Sequence, residues 1–77
     1  MNNNRRSVLQ NAKDLIIRAQ VLIDLAMDEE QQCLDNLPEN LEGGDRWNKM
    51  EDAIDAMDDI RNALGEACEC IDDVICA

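Results

Sequence analysis

From residue 9 onward, apolar side chains recur at Leu9, Ala12, Leu15, Ile16, Ala19, Leu22, Ile23 and Ala26. Steps of three and four place them on one face of an α-helix. Just upstream, "SVLQ" reads as a capping box, with Ser7 accepting from the Gln10 amide and Gln10 reaching back. The pattern predicts a first helix over about 7–36. Within "LIIRAQVLIDLAM", Ile17, Val21 and Leu25 form a second stripe beside the first, and only Arg18, Gln20 and Asp24 are polar. A helix apolar around most of its circumference needs more than one neighbour.

A second periodic stretch occupies about 46–76. Met50, Met57, Leu64 and Ile71 stand seven apart; Ala53, Ile60, Ala67 and Val74 form a row beside them, and Ile54, Arg61, Cys68 and Ile75 a third. A two-stranded seam needs only two such rows. The two stretches match in length, each roughly 45 Å at about 1.5 Å per residue. A short connection between equal arms makes them antiparallel neighbours, with paired residue numbers adding to about 84. Met27 then lies opposite Met57, Leu15 and Ile16 opposite Cys68, and Leu9 opposite Ile75. The expected fold is all-α: a single-domain antiparallel two-helix hairpin over 1–77 that self-associates, as a dimer forming a four-helix bundle. The expected interface is Ile17, Val21, Leu25, Ile60 and Val74. Arg61 falls near Asp24 in this register, either as a register-fixing salt bridge or as an oligomer or ligand contact.

The pattern breaks once, at "DNLPENLEGG", a turn expected over about 37–45. Pro38 has no amide to donate and disfavours helical geometry at Leu37, so the first helix should stop by Asn36. Asn36 then caps a single new turn, "PENLE", which ends where Gly43 or Gly44 can take positive φ. Asp45 or Asn48 caps the second helix, and Glu51 completes a capping box after Asn48. Leu34, Leu37, Leu41 and Trp47 should fold beneath the turn and close that end.

Composition narrows the chemistry. One domain of 77 residues supports only a marginal core, and Trp47 is the sole aromatic. There is no histidine, so the usual near-neutral base is missing; no Ser or Cys has a companion base, and no glycine loop is built to cradle phosphate. Cys68 and Cys70 lie about 200° apart on a helix and cannot share a metal. No enzyme, cofactor or metal is expected. The start, "MNNNRRSVLQ", is polar and unlike a secretory leader, and no apolar run is long enough to cross a bilayer. A cytoplasmic location is expected, with Cys33, Cys68, Cys70 and Cys76 as reduced thiols.

Charge then divides the chain. Residues 1–23 hold Arg5, Arg6, Lys13 and Arg18 against Asp14, a net +3; residues 24–77 hold three bases against seventeen acids, a net −14. Most of the chain would repel nucleic acid and anionic membranes, and is suited to a basic protein surface. Glu51, Asp55, Asp58, Glu66, Glu69 and Asp73 step along one side of the second helix, flanked by Asp52, Asp59 and Asp72. This is either a solvated face or a stripe imitating a phosphate backbone. The candidate partner-binding residues are Glu51, Asp55, Asp58, Asp59, Glu66, Glu69 and Asp73. Arg5, Arg6, Lys13 and Arg18 either pair with acids near Glu69, Asp72 and Asp73 or gather in an oligomer to hold an anionic nucleotide.

The stretch "DNLPENLEGGDRWNKMEDAIDAMDDIRNAL", residues 35–64, resembles small acidic helical-hairpin proteins of gut Firmicutes and of their phages and mobile elements, in which an "NLPENL" turn joins two acidic helices. That motif marks a fold and carries no chemistry, so no functional residue transfers. The resemblance implies an accessory, anti-defence setting: an inhibitor that mimics nucleic acid, or an oligomeric sponge for a nucleotide immune signal. A structural or assembly protein is the third expectation.

Overall fold

The computed structural model describes residues 2–77. The chain forms helix α1, Asn3–Asp35, a single 3₁₀ turn, Glu39–Leu41, and helix α2, Asp45–Cys76. The helices pack side by side as a hairpin of 60 × 15 × 12 Å. No described helix is long and apolar enough to cross a membrane.

α1 starts earlier than its sequence signal suggests, while α2 starts at Asp45, about where expected, but with a different cap. α1 begins four residues before Ser7, because Asn2 caps it first: its Oδ1 accepts the Arg5 backbone amide at 2.9 Å. An Asn side chain at this position satisfies one of the amides a helix start leaves unpaired, and nothing in "NNRR" interrupts propagation into the apolar pattern. Ser7 and Gln10 therefore lie inside the helix, and the Gln10 amide donates to Asp14 at 3.1 Å instead. At α2 the cap residue is Gly44, with extended backbone and no side-chain bond. Asp45 stands in the first turn and Asn48 donates its backbone amide to the Gly44 carbonyl at 3.0 Å, so neither caps. Glu51 accepts from the Trp47 indole rather than reaching back to Asn48.

The connection is a stop, one turn and a restart, with one change. Asn36 closes α1 rather than opening the next turn: its amide donates to the Gln32 carbonyl at 3.1 Å, and that of Leu37 to Leu34 at 3.2 Å. Pro38 precedes the 3₁₀ turn, and its carbonyl accepts from Leu41 at 2.9 Å. Gly43 takes φ +80°, the one left-handed residue among those described, where a Cβ would be strained. Beneath the turn, Leu34 is 5% exposed and is the one buried residue among those described. Leu37 and Trp47 are half-buried beside it, while Leu41 stays at the surface because the 3₁₀ turn is too short to bring it round.

The remaining core is a thin seam. On α1 it follows Leu9, Ile16 and Ile23, with Ala12, Ala19, Ala26 and Met27 beside them, all half-buried. On α2 it follows the heptad row Met50, Met57, Leu64 and Ile71. Leu15, expected opposite Cys68, is instead exposed. Two helices can shield only the strip between them, so a chain this short leaves much apolar surface in water.

Candidate functional site

The hairpin has two unlike flanks, and cross-helix contacts show which is which. A residue one step after a seam residue is turned about 100° to one side; a residue one step before it is turned about 100° to the other. Asp24 follows Ile23, and its carboxylate lies 3.5 Å from Arg61. On α2, Asp58, Gly65 and Asp72 follow Met57, Leu64 and Ile71. Asp58 also holds Arg61, Gly65 sits against the Gln20 side chain, and Asp72 binds Lys13 at 2.6 Å. All of these belong to one flank, which is polar.

The ion pairs set the register. Arg61 bridges Asp24 on α1 and Asp58 on its own helix, so the arginine in an otherwise apolar row is matched within the hairpin. Lys13 is raised above the ordinary lysine range, first by its hydrogen bond to Asp72. The half-buried ammonium is thus tied to the partner helix and is not available to a shared anion pocket. Arg5, Arg6 and Arg18 remain exposed on α1. Arg5 lines a shallow cleft together with Asp73, Val74 and Ala77. One hairpin therefore does not gather the four basic residues into a single anion site.

The acids divide similarly. Asp58 is half-buried and engaged by Arg61, and Glu51 accepts from Trp47. Asp55, Asp59, Glu66, Glu69 and Asp73 are exposed, as is Asp52. They follow one another along the solvent side of α2, a continuous helix that holds them in fixed relative positions. No grouping of three or more Cys, Asp and Glu among the described residues is arranged to hold a metal ion. The four cysteines are unpaired, and Cys33, Cys70 and Cys76 are exposed.

The residues expected to form an oligomer interface do not share one surface. Ile60 and Val74 each stand three steps past a row residue, Met57 and Ile71, which turns them away from the ion pairs. Ile17 follows Ile16 and so turns toward the ion-paired flank; Val21 and Leu25 lie on the outer side of α1. Val8, Leu15 and Leu22, which the sequence pattern did not single out as an interface, each precede a seam residue and join Ile60 and Val74 on the apolar flank. The available signal was their seven-residue spacing, masked by the all-round apolar character of α1.

This fold and surface define the class: an all-α antiparallel helical hairpin with a strongly acidic second helix. Compared with protein-family models, curated proteins and solved structures, the chain matches none.

Proposed function

We propose that the protein is a non-catalytic binding module that docks the acids of α2 on a basic protein surface, the carboxylates standing in for nucleic-acid phosphates. The observation that supports this reading is their density on a rigid rod. Nine carboxylates occupy residues 51–73, a span of about 33 Å at about 1.5 Å per residue. Arg61 and Lys13 neutralise two of them, leaving roughly one net charge per 5 Å, against about 3.4 Å along one DNA strand. The two densities agree within a factor of about 1.5. In the mobile-element setting implied by the turn motif, the partner is a nucleic-acid-binding protein of host defence, and the module acts in the cytoplasm as its inhibitor.

The test is competition. A partner captured by the wild-type protein should be released by DNA and by salt, because screening at about 1 M shortens the Debye length to about 3 Å. Capture should be lost when Asp55, Asp59 and Glu66 are replaced together by Asn, Asn and Gln. A partner that stays bound through both changes overturns the reading. The rival, a sponge for a nucleotide signal, requires Arg5, Arg6 and Arg18; calorimetric binding of a nucleotide that is lost on their replacement by Ala would establish it instead.

A further inference from the structure

We infer that the flank opposite the ion pairs is an interface for a second copy of this chain. Val8, Leu15 and Leu22 stand exactly seven residues apart, each one step before a seam residue, and are 66%, 65% and 65% exposed. Their row runs about 21 Å along α1 at about 1.5 Å per residue. On α2 the same flank presents Ile60 and Val74, with small Ala56 before them and Ala63 and Cys70 between them. Val8, Leu15 and Leu22 are themselves uncharged, in a chain of net charge −11, and the exposed Arg18 borders them beside Leu22. Neither helix of the hairpin covers this row.

Area points to a partner of the hairpin's own size. The hairpin exposes 5700 Å². A folded monomer of 8.7 kDa ordinarily exposes about 4,700 Å². The excess, about 1,000 Å², is close to the roughly 800 Å² that each partner buries in a stable protein–protein interface. One second copy is enough to restore an ordinary exposed surface.

Shape identifies that copy as this same chain. The flank is bulky along α1, and on α2 the large Ile60 and Val74 alternate with the small Ala56, Ala63 and Cys70. A two-fold axis parallel to the helices lays each α1 over the α2 of the other copy, as an isologous interface requires. In the register of the ion pairs, Leu22 then meets Ala63 of the second copy and Leu15 meets Cys70. Large side chains fall on small ones in both halves, which is how layers of a four-helix bundle interlock. The ion pairs, Glu51 and Asp58 stay on the opposite flank, while Asp59, Glu66 and Asp73, each two steps past a seam residue, border the interface and are the source of repulsion between two anionic copies.

Salt separates this contact from the acidic docking described above. Screening weakens acid–base docking but relieves repulsion between two anionic copies, so the dimer should tighten as salt rises. The experiment is sedimentation equilibrium of the full chain at tens of micromolar, with circular dichroism in parallel. The expected mass is twice 8.7 kDa. Leu15→Glu with Leu22→Glu should give a helical monomer, whereas Ile17→Glu, on the ion-paired flank, should stay dimeric. If the double Glu variant loses its helix signal, Leu15→Ala with Leu22→Ala should still show at least a tenfold weaker dimer. A monomeric wild type, a larger assembly, a double variant that dimerises unchanged, or dissociation by Ile17→Glu overturns the proposal.

Discussion

The two flanks of this hairpin are built from the same two helices and end in opposite states. One is closed within the chain: Lys13 reaches Asp72, Gln20 lies against Gly65, and Arg61 joins Asp24 to Asp58. The other leaves Val8, Leu15, Leu22, Ile60 and Val74 in water. Polar side chains can satisfy one another across a groove because they are long and directional. Apolar side chains on the outside of a two-helix layer need a second layer. The polar flank therefore determines how α1 and α2 align, and the apolar flank is the surface that the proposed second copy would cover.

The largest test acts on the seam that separates the flanks. Leu34→Ala truncates the one buried residue among those described, at the closed end of the hairpin. Such a change costs about 2–5 kcal/mol, enough to unfold much of a marginal 77-residue domain; urea titration followed by circular dichroism should show the midpoint collapse. Asn2→Ala removes the oxygen that caps α1. It should cost about 1 kcal/mol, and hydrogen exchange should show the loss as fraying of the first turns while Leu34 and its surroundings stay protected.

Two smaller tests act on the polar flank alone. Gly65→Ala should stabilise by about 0.5–1 kcal/mol, because a mid-helix glycine is replaced. The added methyl meets the Gln20 amide nitrogen at an ordinary 3.6 Å. A lowered melting temperature would show that the two helices are closer there than the geometry allows. Arg61→Ala breaks ion pairs whose members are 43–53% exposed. Solvent screening limits its effect to about 1 kcal/mol or less.

The smallest effect is the pH response of Lys13. Its folded pKa is raised by Asp72, so the pair contributes its full stability below the ordinary lysine pKa and loses it as pH rises through the higher folded value. Stability should therefore fall slightly on the alkaline side of the lysine range, and Lys13→Met should remove that slope. An unchanged slope in the variant would assign it to another group.

Much of the architecture was legible in the residues. The steps of three and four from Leu9 to Ala26, the heptads from Met50 to Ile71 and the break at Pro38 identify two antiparallel helices, and the expected Arg61–Asp24 pair is present at 3.5 Å. The acids of α2 were legible as a stripe for the same reason, since helical phase alone places them. Local caps were less so. Asn2 competes with Ser7, and Gly44 with Asp45 and Asn48, and each contest is decided by differences of about 1 kcal/mol that a motif does not reveal.

The sequence by itself determined which residues share a row along each helix, where the chain turns, and that its charge divides between the two arms. Only the tertiary structure decided which rows face each other. α1 is apolar nearly all round, so several rotations about its axis would bury similar area. Lys13, Asp24 and Gln20 select among them by meeting Asp72, Arg61 and Gly65. That choice buries Ile16 and Ile23 and turns Leu15 and Leu22 outward, because neighbouring residues on a helix point about 100° apart.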